Sequence, residues 1–545
     1  MRNIWTLLLM VIAALGGLYL GWISGRNSAS AGASASAPQS SYQLFDNGCQ
    51  GKLNDVLNLI SNAYVDPVDK DSLEEIAIPQ LLKQLDPHSV YIPRSDVERV
   101  SGELKSDFGG IGVMFNIKDD TVMVVSVIAG GPSSAIGVLP GDKIIAVNGN
   151  NFAGKEAGVT NQKVLDNLRG EIGTMVKITV LRGDNAKLDF DIVRGEIPLY
   201  SVVSTYQIAP HVGYIKIDRF AEKTYNEMIS SIGKLKAQGC DKLIVDLRSN
   251  SGGFLNVVMA MCNEFLKADE MIVYTEGSHH DRQVSKANGT GTCQDMGLVV
   301  LIDEFSASAS EIFAGAIQDN DRGTVVGRRS FGKGLVQTEF QLSDGSNLRL
   351  TISRYHTPSG RCIQRPYDNG DEEYYDDINE RLRDGELFDA ERIKADTANV
   401  YYTLKKHRKV YGGGGIVPDI FVPYDSAHAS RYLYTLRSKR LIYDYALAYA
   451  DAHRAELTGL DLNQLANKLI ATPFIDQIHD YAAKRGVAKP STFDKSEARI
   501  IENEVRAYIA RSFSDANDGL YMILNIMDPA VDEALAVFGE KPFYK

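Results

Sequence analysis

The stretch GLVVLIDEFSASASEIFAGAIQD, Gly297–Asp319, reads as a strand, a corner and a helix. Leu298 to Ile302 is a continuous apolar run, the pattern of a strand buried on both faces. Ser308-Ala-Ser-Glu311 is a capping box, in which a hydroxyl takes an orphan N–H and the glutamate reaches back. Ile312, Phe313, Ala316 and Ile317 then form one apolar stripe, predicting a helix over 308–319. The same grammar recurs along the chain. "VGYIKI", "KLIVDLR" and "GTVVGR" are apolar strands, and helices are expected at 221–238 and 256–267. Alternating strands and helices make 199–423 an α/β core. Three corners end such strands: "VDLRSNSGG" (245–253), "LIDEFSASASE" (301–311) and "GRRSFGKGLVQ" (327–337). In open α/β sheets this edge is where ligands bind, and a helix start there gathers N–H groups for an anion. Serines, a lysine and backbone N–H groups are expected to meet at that edge. Local pattern alone leaves Ser306, Ser308 and Ser310 equivalent.

Outward from this core, 545 residues are too many for one ordinary domain. A formal net charge of -12, with no basic stripe, argues against nucleic acid as a partner. Residues 1–41 open with an uncharged stretch from Ile4 to Ser24, long enough to span a bilayer, followed by a Ser/Ala-rich tether. That predicts an exported, periplasmic protein, anchored to the inner membrane by residues 4–24 or carrying them as a signal peptide. Residues 42–107 form an N-terminal helical segment, with apolar residues at helical spacing from Leu53 to Leu85. Residues 108–198 form a compact module of short β-branched runs with one helix, "NQKVLDNLRG" (161–170). The charged segment Asp368–Glu386 reads as an exposed insertion. Residues 424–545 are rich in helix formers and read as a separate helical domain.

Several chemistries drop out. The chain has no H-E-x-x-H and no G-x-S-x-G. "GRRSFGKG" has the spacing of a P-loop, but Gly334 stands where a Ser/Thr would hold Mg²⁺. Nine histidines and five scattered cysteines show no metal spacing, so neither metal nor cofactor is expected. His88 and His356 read as structural.

"SASASEIFAGAIQD", "FGKGLVQ", "DLRSNSGG", "GIVPD" and "DPHSVY" together resemble the signatures of carboxyl-terminal processing proteases. The resemblance covers roughly residues 50–423. It implies an α/β, crotonase-like protease core with an inserted PDZ domain, and a serine endopeptidase using a Ser/Lys dyad. It places the nucleophile at Ser308, the base at Lys333 and the residue orienting the lysine at Gln337. Asp319 matches an aspartate near the dyad with a supporting role. "FGGIGVMFNI" with "SVIAGGPSSAIGVLPGDKIIAVNG" resembles a bacterial PDZ domain. Backbone N–H groups of Ile111, Gly112 and Val113 would hold a terminal carboxylate, and Val164, Leu165 and Leu168 would line a groove for apolar tails. Arg169 matches an arginine linking tail binding to activation. A homodimer through terminal helices is also implied.

The chemistry asked of these residues is coherent. A serine hydroxyl needs a base, and an amine serves only when neutral. Lys333 must therefore be desolvated until its pKa falls from about 10.4 toward neutrality. Ala309 N–H and one N–H from Gly252-Gly253 are the oxyanion donors. A catalytically silent PDZ scaffold and a non-selective peptide-degrading serine peptidase are the alternative readings.

Overall fold

The computed structural model describes residues 51–544 except 103–106, 119, 129, 184–185, 394–399, 425–429, 491–493 and 515. The expected membrane span 4–24, the tether and Cys49 lie outside the described residues. Among the described residues no helix is long and apolar enough to cross a membrane.

The N-terminal segment forms two helices, α1 (Lys52–Ala63) and α2 (Lys70–Leu82), where the spacing suggested one. The chain turns extended at Tyr64, just before "VDPVD", whose Pro67 disfavours a helical residue before it. Beyond α2 residues 86–89 lead into β1 (Val90–Ile92), which pairs antiparallel with the strand Asn347–His356. That pairing carries the N-terminal segment into the core.

The β-rich module contains β2 (Val113–Lys118), β3 (Thr121–Val127), β4 (Lys143–Val147), α3 (Asn161–Leu168), β5 (Met175–Arg182) and β6 (Ala186–Val193). Its antiparallel sheet runs in the order β2-β3-β4-β5-β6, so β2 is an edge strand. Thr160 caps α3, its hydroxyl accepting the Lys163 N–H at 3.2 Å. Val164 and Leu168, 0% and 4% exposed, sit with Ile111, Val124 and Ile178 in the module's core. They were expected to line the groove. The period of α3 instead sends both inward, and Leu165 between them is half-buried.

The core strands and helices are β7 (Val202–Ala209), β8 (Val212–Ile217), α4 (Thr224–Ala237), β9 (Lys242–Asp246) and α5 (Leu255–Phe265). They continue with β10 (Met271–Gly277), β11 (His280–Lys286), β12 (Gly297–Ile302), α6 (Ala309–Asp319) and β13 (Thr324–Gly327). After these come β14 (Leu335–Gln341), β15 (Asn347–His356), α7 (Asp371–Arg383) and β16 (Ile420–Phe421). The main sheet has the order β7-β8-β9-β12-β13-β16, parallel from β8 onward. A second sheet, β1-β15-β10-β11 with β14 also on β15, packs beside it.

Successive strand residues point to opposite faces. Ile215, Val245, Val300 and Val325 pack with Met228, Val258 and Phe313 of α4, α5 and α6. Tyr214, Ile244, Val299 and Val326 pack with residues after 430, including Leu433, Ile442 and Val505. Those belong to α8 (Arg431–Ser438), α9 (Leu441–Ala452) and α10 (Lys495–Arg511). The C-terminal helices thus form the second layer on the main sheet, which is why its strands read as unbroken apolar runs. Each such fully buried side chain contributes about 1.5–3 kcal/mol.

Candidate active site

Parallel pairing of β9 with β12 puts the ends of both strands side by side. Their corners are stitched together: the Asn250 carbonyl accepts from Ala307 N–H at 3.0 Å and from the Ser310 hydroxyl at 2.8 Å. The Ser306 hydroxyl donates to the Leu247 carbonyl at 2.9 Å, and Ser306 and Ser310 are both fully buried. Ser308 alone of the three is partly exposed. Its φ of 55 and ψ of -113 lie outside the regions a serine prefers, a strain of about 1–3 kcal/mol. The geometry therefore separates three serines that the local sequence left equivalent.

Ser308 also begins α6. Its carbonyl accepts the Glu311 N–H at 2.9 Å, and its own N–H donates to Glu311 Oε2 at 2.9 Å. The Ser308 hydroxyl faces the first-turn amides only loosely, without the geometry of a side-chain cap hydrogen bond. The expected capping box is thus carried by Glu311.

Gly252 lies directly against this helix start. A Cβ there would stand 2.8 Å from Ser308 Cβ and 2.9 Å from Ala309 N, and φ is +103. Its N–H donates to Asn250 Oδ1 at 2.8 Å. Among the described residues, the N–H groups of Gly253 and Ala309 have no hydrogen-bond partner. Of the three expected oxyanion donors these two are the available pair. Gly252→Ala is expected to cost about 1–3 kcal/mol of stability and to displace Ser308, read as a lower melting temperature together with slower turnover.

Lys333 arrives on the loop between β13 and β14. It is 2% exposed, and Nζ donates to Gln337 Oε1 at 3.0 Å. Gln337 Nε2 in turn donates to the His88 carbonyl. Burial, with the Arg349 guanidinium nearby adding to it, pulls the Lys333 ammonium down to about 7 from its ordinary 10.5.

Glu311 joins the two halves. Besides Ser308 N–H, its carboxylate accepts Lys333 N–H at 2.9 Å, Gly332 N–H at 2.7 Å and the Ser330 hydroxyl at 2.5 Å. Burial pushes this carboxyl up to about 6 while these donors hold it down. The Tyr355 hydroxyl lies against both the Lys333 and the Ser308 carbonyls. The glycine run Gly412–Gly415 presses on the same loop, with Ile416 N–H donating to Ser330 Oγ at 2.6 Å. At Gly415, φ is +92 and a Cβ would meet the Ser330 carbonyl at 2.7 Å, so the close approach requires glycine.

Some expectations move. Asp319 sits at the far end of α6, about 15 Å from Ala309 at the helical rise. There it pairs with Arg361 at 2.8 Å, both side chains fully buried, so it is remote from Ser308 rather than beside it. Arg169 is exposed at the C-terminal end of α3. The segment 368–386, expected as a solvated insertion, contains α7, whose Tyr374 and Arg381 are 3% exposed. Arg381 donates to the Ser330 carbonyl at 2.8 Å and pairs with Asp377, so acid and base on one helix face serve the lysine loop rather than solvent. His356 stacks on Tyr274, in keeping with a structural role.

His88 is closer to the site than its residue type suggested. Its ring Nε2 lies 2.9 Å from the Tyr374 hydroxyl, and burial keeps the imidazole neutral. Asp86 fixes the same turn by accepting His88 N–H at 2.9 Å and Ser89 N–H at 3.0 Å. The motif "DPHSVY" was the signal for it.

Comparison with known proteins follows the same division. Residues 211–371 match the profile described as Peptidase family S41, and 109–192 match a PDZ domain. Residues 10–95 match the profile of the activating protease CtpB N-terminal domain, and 432–515 a family of unknown function. A carboxy-terminal-processing protease of Bartonella bacilliformis is 35% identical over 57% of this chain and 72% of its own length. The carboxy-terminal processing protease CtpB of Bacillus subtilis is 36% identical over 58% of this chain and 65% of its own length. A crystal structure of the PDZ domain of a carboxy-terminal protease from Vibrio cholerae, in complex with peptide, is 30% identical over 17% of this chain and 99% of that one, with a TM-score of 0.16. The chain belongs to the carboxy-terminal processing proteases, serine peptidases of family S41 that carry a PDZ domain.

Proposed function

We propose that the chain is an endopeptidase that captures free, apolar C-terminal tails along β2 and cuts near that end with a Ser308/Lys333 dyad. Neutral Lys333 takes the Ser308 proton as Oγ attacks the scissile carbonyl. Ala309 N–H and Gly253 N–H hold the oxyanion. Collapse breaks the C–N bond, and the leaving amine receives the proton from Lys333. Water then attacks the acyl-serine, with Lys333 again taking a proton, and Ser308 is regenerated. Gln337 orients the amine without adding charge. The observation that carries this reading is a fully buried lysine, brought to about 7 and held in one carboxylate's grip with the serine's backbone.

The tail-binding half is supported by β2, an edge strand entered through Ile111 and Gly112, the latter at φ +77. Such a strand adds an extended peptide by β-augmentation. The uncharged stretch 4–24 supports export with the catalytic part held at the outer side of the inner membrane. One substrate with an apolar tail, offered with a free or an amidated C-terminus, tests the reading. The free acid is expected to be cleaved at least about tenfold faster, since a charge-assisted contact is lost on amidation. Equal rates would point to a non-selective peptidase.

A further inference from the structure

Along β2, Val113, Phe115 and Ile117 turn into the PDZ core. Met114 and Asn116 therefore turn to the opposite face. That face looks toward the C-terminal helices, with Met114 still 44% exposed. A cleft of about 400 Å³ separates it from the C-terminal helices, within the range of peptide and ligand sites. Three arginines line the helical wall: Arg437, Arg440 and Arg511. Arg437 is neutralised by Glu504, Nε to Oε1 at 2.9 Å. Arg440 reaches Asn116 Oδ1 at 2.5 Å, and Arg511 lies 3.9 Å from the Met114 sulfur. Among the described residues neither is paired with a carboxylate. Among the described residues the one carboxylate lining this wall, Glu504, is engaged by Arg437, so guanidinium groups outnumber carboxylates beside the edge strand.

We propose that Arg440 and Arg511 read acidic side chains at the penultimate and fourth-from-last positions of the captured tail. This rests on the tail-binding reading of β2. A peptide added to that edge alternates its side chains between the two faces. Its apolar terminal residue faces the PDZ core. The residues one and three before it then share the face of Met114 and Asn116, where the arginines stand. The C-terminal helices become the second wall of the recognition groove, and the preferred tail is apolar at its end and acidic at alternate positions before it.

The test is fluorescence anisotropy with labelled peptides on the detergent-solubilised full chain carrying Ser308→Ala, so that nothing is cut. The peptides share one apolar terminal residue and carry Glu, Gln or Lys at both positions, with free or amidated ends. Glu is expected to bind about tenfold tighter than Lys, the sum of two partly exposed charge contacts. Added salt narrows the gap. Arg440→Gln with Arg511→Gln is expected to bring Glu and Lys within about twofold, and Arg440→Lys with Arg511→Lys to keep most of the preference. Equal binding of Glu and Lys peptides while amidation still weakens both would overturn the arginine assignment alone. So would a full preference surviving in the double Gln variant. Indifference to amidation would overturn the groove reading as well.

Discussion

Cleavage by Lys333→Met or Ser308→Ala is expected to fall by about 10⁴–10⁶-fold, while the chain stays folded and binds tails as before. Members of a nucleophile–base pair act as a unit, so removing either loses nearly the whole chemical advantage. Ser306→Ala and Ser310→Ala are the controls, because their hydroxyls are committed to backbone carbonyls. They should lose stability more than turnover. For the lysine, acidity gives a second readout. Its folded value of about 7 lies below the ordinary 10.5, so the unfolded chain binds more protons between the two. Stability attached to the neutral amine is full above about 10.5 and is lost as pH falls toward about 7. Methionine has no such slope, and near pH 7.5 it removes a deprotonation penalty of about 4 kcal/mol. The Met variant is therefore expected to melt higher than the wild type while being inactive. In the wild type, kcat/KM should decline as pH falls through about 7, because the protonated amine is no base. An acid limb unaffected by Lys333→Met, or residual cleavage within tenfold of wild type, would remove the lysine from the chemistry.

What the sequence disclosed was set by range. Period-2 and helical patterns are local, so the α/β order, α6 and the edge-forming β2 module were readable from short windows. The three corners were readable because small residues and glycine cluster where strands end. The choice of Ser308 over its neighbours was not local. It depends on Leu247 and Asn250, about 60 residues earlier, offering carbonyls to Ser306 and Ser310 and none to Ser308. The same holds for α7, whose charges look solvated until the buried Arg381 is seen reaching the Ser330 carbonyl. The C-terminal helices read as a separate body because nothing in their own pattern says which sheet they cover. The clue lay in the strands, apolar at every position and so in need of cover on both faces. The PDZ resemblance implies a groove role for Val164 and Leu168, but helical spacing shows only that two residues share a side, and both are buried in the module's core. Leu165, one position away, stays half-buried.

Glu311 was visible in the sequence only as the far half of a capping box, yet its removal is expected to have the second-largest effect. Its carboxylate accepts from three backbone N–H groups and one hydroxyl, on both sides of the site. Glu311→Ala leaves the buried N–H groups of Gly332 and Lys333, and the part-buried N–H of Ser308, without an acceptor. Each such orphan costs about 1–3 kcal/mol, and partial relaxation brings the total to about 3–5 kcal/mol. Turnover should fall by about 10²–10³-fold, since the serine and lysine backbones are no longer held in one frame and a shift near 1 Å is enough. Glu311→Gln separates acceptor geometry from charge. It keeps one carbonyl oxygen but turns an NH₂ toward N–H donors, so it should lie between wild type and Ala in both stability and rate. Acidity again supplies a sign. With a folded value of about 6 against an ordinary 4.5, stability attached to the protonated carboxyl is full below about 4.5 and lost as pH rises through about 6. The Gln variant lacks that slope. Because Glu311 acts through Ser308 and Lys333 rather than on substrate, the loss should appear in kcat with tail affinity unchanged. An Ala variant that turns over within twofold of wild type would mean that Tyr355 and the glycine run hold the two backbones without it.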